Sequence, residues 1–210
     1  MRRPILLTAA AALLATAAAP ALAQSAGEFT LGVGIGYVLP KDDNGDLTAN
    51  NLQADVGGSV RPTLTFEYFV IDNVGVELLA AWPFRHDVDL GNLGKVAEVT
   101  PLPPTLSVNY HFNGHAGVGS ISPFVGAGIN FTSIYDVDTE GALAGTNLDL
   151  DNSWGLALNA GVDYRITDRG SVRLNVRYID IDADATLDGA DIGTVEIDPW
   201  VFIAGYVHRF

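Results

Sequence analysis

Over residues 28–210 the chain changes side-chain character at every second position, in windows of about ten residues, and apolar repeats at the helical i, i+3, i+4 interval are hard to find. Period two puts neighbouring side chains on opposite faces of a strand. In the first window Phe29, Leu31, Val33, Ile35 and Tyr37 share one face, and Thr30, Gly32, Gly34 and Gly36 share the other. Further windows fall at 60–70, 74–82, 105–112, 125–135, 153–165, 172–178 and 200–207. The prediction is an all-β chain of eight strands. Short connections at 72–73, 113–120 and 167–170 alternate with long ones at 40–59, 83–104, 136–152 and 179–197. That alternation suits an eight-stranded antiparallel up-and-down transmembrane β-barrel with long extracellular loops.

The N-terminus carries a different message. Arg2 and Arg3 precede an apolar, alanine-rich run over 5–19, and Ala21-Leu22-Ala23 forms a small-x-small site. This predicts a cleaved secretory signal over 1–23 and a barrel over 24–210. The run is shorter than the ~20 residues a spanning helix needs, so the exported chain reaches a membrane only as a closed barrel. Composition narrows the class further. With no cysteine the chain has no disulfide scaffold and no thiolate chemistry. A net charge of -14 excludes a nucleic-acid partner, which demands a basic footprint.

A soluble barrel also alternates, with its apolar face turned inward, so other features must fix the orientation. On the apolar face, Tyr37, Trp82, Tyr135, Trp154, Tyr178 and Trp200 lie near the long-loop ends, and Tyr68, Tyr110 and Tyr164 lie near the short turns. Trp and Tyr prefer the membrane–water interface, so two belts at two heights point to a lipid-facing surface. Ten residues separate Trp154 from Tyr164; at ~3.4 Å per residue and a tilt of about 40° they rise about 26 Å, close to the ~25 Å apolar band. Glycines such as Gly34, Gly126 and Gly161 fall on the polar face, where a narrow lumen needs small residues. The G-x-G-x-G run at 32–36 precedes no helix pattern and carries no nucleotide site.

Parity and strand direction then assign the lumen. Toward the short turns Glu67, Glu77, His111, Asp163, Arg165, Arg173 and Arg209 point inward, which predicts a charge-paired periplasmic plug, because unpaired charges there are costly to desolvate. Toward the long loops Leu79, Ala81, Ile179, Ile181, Val201 and Ile203 point inward and predict an apolar upper lumen. Arg177 falls between them, either facing the solute path or pairing with Glu77.

Several stretches together resemble the outer-membrane protein W (OmpW) family of Gram-negative bacteria. They are residues 77–86 (ELLAAWPFRH), Leu102-Pro103-Pro104-Thr105-Leu106 running to Tyr110-His111-Phe112, and residues 123–130 (PFVGAGIN). Ser153-Trp154-Gly155, Gly161-Val162-Asp163-Tyr164, and Asp198-Pro199-Trp200-Val201-Phe202 leading to Phe210 complete the set. The resemblance implies an eight-stranded barrel in the outer membrane, exported through the periplasm. It also implies a channel for passive uptake of small hydrophobic molecules, lateral exit into the bilayer, and a link to stress responses. The expected partners are outer-membrane lipids, lipopolysaccharide, the barrel-assembly machinery and small hydrophobic solutes. Phe202, Tyr206 and Phe210 fit the alternating aromatic signal read during assembly, with His208 a departure from it. The alternative is a structural or recognition barrel whose loops bind surfaces, phage or colicin without transport. His86, beside Arg85 and Asp87, is the one plausible catalytic histidine, but no Ser-His-acid grouping shares its height; no enzyme and no cofactor are expected. The acidic loops, including Asp42-Asp43-Asn44-Gly45-Asp46, lack the spacing of a calcium loop and read as solvated rather than metal-binding.

Overall fold

A strand whose alternate side chains are Gly, Thr and Asn on one face and Leu, Val and Ile on the other must enclose the first face if the second meets lipid. The computed structural model describes residues 24–47, 52–81, 86–112 and 120–210. The signal expected over 1–23 and the expected belt residue Trp82 lie outside them. Fifteen strands occur among the described residues. They are β1 (Phe29–Leu39), β2 (Asp46–Leu47), β3 (Leu52–Val56), β4 (Ser59–Ile71), β5 (Val74–Ala81), β6 (His86–Leu90), β7 (Lys95–Leu102), β8 (Thr105–His111), β9 (Ile121–Thr139), β10 (Leu148–Leu150), β11 (Ser153–Arg165), β12 (Gly170–Ile179), β13 (Asp182–Leu187), β14 (Ala190–Glu196) and β15 (Trp200–Arg209).

Eight of these close on themselves antiparallel, in the order β1-β4-β5-β8-β9-β11-β12-β15 and back to β1. The first and last strands pair from Thr30 with Arg209 to Leu39 with Trp200, which leaves the barrel no edge strand. The two-residue turn Asp72-Asn73 places Asn73 at a φ of 66°, a left-handed conformation that Asn tolerates. Orientation follows the alternation: Trp154 and Leu156 are 70% and 66% exposed, while Glu67 and Asn109 on the opposite face are fully buried. The belt residues Tyr37, Trp200, Tyr68, Tyr110 and Tyr164 are exposed as well. Phe202, Tyr206 and Phe210, expected as the assembly signal, lie on the same outer surface.

Glycine makes the lumen possible at two tight positions. A Cβ at Gly75 would overlap the Glu67 carboxylate, and one at Gly126 would overlap the amide oxygens of Asn109 and Asn159. Side chains fill the space that these backbones vacate.

The long connections fold further than their composition suggests. β9 runs past the barrel and pairs with β7, which continues through β6 and β3 to β2. β10, β13 and β14 form a second sheet. Buried side chains from both sheets, among them Leu47, Val56, Val88, Val96, Leu148 and Val195, pack into one apolar cluster. The result is a cap over the outer mouth. Asp42, Asp43, Asp138, Asp149 and Asp191 are exposed, and some acids serve the fold: the Asp43 carboxylate accepts the Gly45 N–H at 3.2 Å, closing a local turn.

Candidate functional site

Two stacked regions fill the lumen, and both arise from inward positions of the barrel strands. The lower one centres on Arg173 of β12. Its Nε and Nη2 donate to Asp163 Oδ1 and Oδ2 of β11 at 2.7 and 2.9 Å. Nη1 donates to Glu77 Oε2 of β5 at 2.7 Å, and Nη2 also reaches Glu67 Oε2 of β4 at 3.1 Å. Cross-strand register sets this geometry, since Asp163 lies opposite Arg173 and Glu67 lies opposite Glu77. His111 Nε2 shares Glu67 Oε1 at 2.8 Å, and Asn109 Nδ2 donates to the same oxygen at 3.0 Å.

Arg177, two inward positions above Arg173 on β12 with Asn175 between them, donates from Nη2 to Glu77 Oε1 at 2.6 Å and from Nη1 to Ser107 Oγ at 3.1 Å. Of the two sequence readings for Arg177, the geometry supplies the partnership with Glu77. Three carboxylates, two guanidiniums and one imidazole thus interlock across the lumen, each nearly or wholly buried. Phe124 stacks on the His111 ring with centroids 5.0 Å apart, the Arg173 guanidinium lies 4.6 Å over the Phe124 ring, and Phe69 meets His111 edge-on at 5.3 Å. Sequence reasoning assigned no role to Phe69 or Phe124, although parity with Glu67 and Gly126 places both inward.

The structure does not bring every predicted plug residue into this layer. Arg165 and Arg209 lie below it, at the periplasmic mouth. Arg209 reaches Glu28 at 3.7 Å and donates to the Asp168 carbonyl at 3.0 Å.

Above the layer the chemistry reverses. Leu79, Ile179, Ile181, Val201 and Ile203 form an apolar cluster with Ala157, and Ala81 continues the wall upward. The enclosed cavity, about 90 Å³, is bounded above by cap residues including Leu47, Val88, Leu148 and Val195. Ile203 packs in the cluster without lining the cavity itself. Among the described lining residues Arg61 of β4 is the single charged side chain, and it went unassigned in the sequence. Parity alone would have found it.

The wall has a seam at this height. β5 and β8 pair only up to Leu79 with Thr105. The next residues on the β8 side are Pro103 and Pro104, which lack the N–H a ladder needs. The Pro104 carbonyl turns the other way and accepts the Phe131 N–H at 3.1 Å. Ala81 and Pro103 flank this seam and line the cavity.

At the base of the cap, carboxylate oxygens of Asp180, Asp182 and Asp198 lie within 4.8 Å of one another. Burial, followed by the neighbouring charges of Asp198 and Asp180, holds the Asp182 carboxyl above its ordinary pKa. Lys41 supplies the counter-charge through Glu196 and, at 3.2 Å, through Asp198. Its own pKa is raised, chiefly by the hydrogen bond to Glu196. For His86, the candidate catalytic histidine, only the backbone is described.

The profile of the OmpW family matches residues 25–210. Outer membrane protein W of Escherichia coli (strain K12) is 39% identical, with 98% of this chain and 99% of that protein covered. The crystal structure of the outer membrane protein OprG from Pseudomonas aeruginosa superposes with a TM-score of 0.79 at 33% identity, covering 89% of this chain and 97% of that one. The NMR solution structure of the E. coli outer membrane protein W gives 0.66 at 40% identity, with coverages of 89% and 100%.

Proposed function

This chain belongs to the OmpW family of Gram-negative outer-membrane barrels, and on that premise we propose that it is a conduit for small hydrophobic molecules, with the upper lumen as the solute site and the ionic layer as its floor. One observation carries the reading: a cavity walled almost wholly by aliphatic side chains ends abruptly on a layer of interlocked charges. An apolar solute gains by leaving water for the first region, at about 25 cal/mol per Å² buried. It gains nothing by entering the second, where it would displace charge-assisted hydrogen bonds. The layer therefore blocks axial passage, both for the solute and for ions and water.

The seam between Ala81 and Pro103 supports a sideways route into the bilayer. It lies at cavity height, where the ladder between β5 and β8 ends at Leu79 and Thr105 among the described residues. The resting cavity, about 90 Å³, is smaller than the ~150 Å³ cavity known to admit benzene in an engineered core. Solute admission accordingly requires the cap or the seam to yield.

Uptake by vesicles or whole cells tests this reading. Small apolar compounds should enter faster with the wild type than without the protein, and Leu79→Trp should remove most of that gain. Equal uptake by the two proteins would defeat it. The packed apolar cluster of the cap favours a second reading, a recognition barrel displaying a folded outer surface; it predicts no uptake by either protein.

A further inference from the structure

Beneath the ionic layer a second, polar cup opens toward the periplasm, independent of the solute reading. The geometry points to an oxyanion site there, fitted to a phosphate group. The cup is built by five adjacent strands. Register places Ser171 of β12 beside Arg165 of β11, and Arg209 of β15 beside Thr30 of β1. Ser122 of β9 adds a third hydroxyl opposite Asp163. Arg169 joins from the tight turn between β11 and β12, where the Ile166 N–H bonds the Gly170 carbonyl at 2.9 Å. The Arg209 N–H anchors that turn through the Arg169 carbonyl at 2.8 Å. Arg165, Arg169 and Arg209 thus line one cavity of about 50 Å³.

Charge makes this placement unusual. The chain carries 11 Lys and Arg against 25 Asp and Glu, yet three guanidiniums gather here. The Asp163 carboxylate at the floor does not offset them, because both of its oxygens are taken by Arg173. Asp168 lines the cup and Glu28 approaches Arg209 at 3.7 Å. That leaves three positive groups facing two negative ones. Arg165 and Arg169 form no side-chain hydrogen bond or ion pair among the described residues. Like charges held together repel, and an anion of higher charge converts that repulsion into attraction. Guanidinium forks match the paired oxygens of a phosphate, and serine and threonine hydroxyls can donate to the remaining ones. A cavity of about 50 Å³ exceeds the ~10–15 Å³ that one water needs and leaves room for a small tetrahedral group. The cup lies within the ring of strands and opens toward the periplasm, away from the lipid-facing side, so the fitting source is a soluble phosphate; a phospholipid headgroup has the same chemistry.

NMR in phosphate-free maltoside micelles tests the site. Inorganic phosphate, added at constant ionic strength, should shift the side-chain N–H resonances of Arg165 and Arg169 saturably. Arg165→Gln combined with Arg169→Gln should weaken binding at least about tenfold, with the strand amides elsewhere unmoved. Micelles doped with phosphatidylglycerol separate the sources: a response there alone keeps the phosphate chemistry and moves its origin to the inner leaflet. Silence toward both, equal shifts with chloride, or full binding by the double variant would overturn the site.

Discussion

Glu77 and Leu79 lie two residues apart on the same inward face of β5, about 7 Å along the strand, and belong to different worlds. Glu77 holds two guanidiniums, Arg173 and Arg177. Leu79 touches aliphatic side chains and the cavity beneath the cap. The same step recurs on β12 between Arg177 and Ile179. The contrast shows how a uniform barrel backbone acquires a directional interior. Below the step, stability depends on every partner staying in place. Above it, aliphatic side chains leave a cavity of about 90 Å³ unfilled.

The largest expected effect comes from breaking the lower region at its hub. Arg173→Ala leaves Glu67, Glu77 and Asp163 with one remaining guanidinium, and should cost about 3–5 kcal/mol. Urea unfolding in micelles measures this, and planar-bilayer recordings should show an ion leak that the wild type lacks. Arg177→Met is milder, because Glu77 keeps Arg173; a loss of about 1–3 kcal/mol is expected by the same assay. If the two substitutions proved equally mild, the layer would be a loose collection of pairs rather than a network.

The upper region should respond differently. Leu79→Ala should cost about 2 kcal/mol, the low end for a buried leucine, since part of its surroundings is already empty. Unlike Arg173→Ala it should leave ion exclusion intact while altering which solutes enter. A leak as large as that of the Arg173 variant would erase the boundary between the two regions.

The smallest effect belongs to the base of the cap. Because the Asp182 pKa is raised in the folded protein, protonation favours the fold. That contribution is fully present below the ordinary aspartate pKa and fades as pH rises through the raised value. Hydrogen exchange of the β13 amides, corrected for its intrinsic pH dependence, should therefore slow in acid, and Asp182→Asn should flatten the trend.

How much of this was legible in sequence follows from which physical rule wrote each part. Period two fixes the face of every barrel residue, so the chain of inward charges from Glu67 to Arg173 stood out before any coordinates. Height along the strand was less legible. Arg165 and Arg209 share the parity of Arg173 but lie lower, a distinction that depends on stagger between strands and not on alternation. Phe69 and Phe124 were inward by parity yet concealed by type, since an aromatic in a membrane barrel invites an outward reading. The cap escaped detection because β2, β3, β6 and β10 are two to five residues long and each carries Asp. Their apolar residues complete a cluster that joins strands from different connections, a long-range fact that local pattern does not carry. Arg61 escaped because a single charge on a polar face attracts no notice until an apolar cavity surrounds it.

The central claim is that an apolar guest rests above the ionic layer and goes no lower. Intermolecular NOEs from a small perdeuterated-protein sample with methyl labels, soaked with a protonated alkane in a deuterated bilayer, test it most directly. The account predicts contacts to the methyls of Leu79, Ile179 and Val201 and none to Thr30 or Val207. Contacts below Arg173, or no contact with Leu79, Ile179 and Val201, would contradict it.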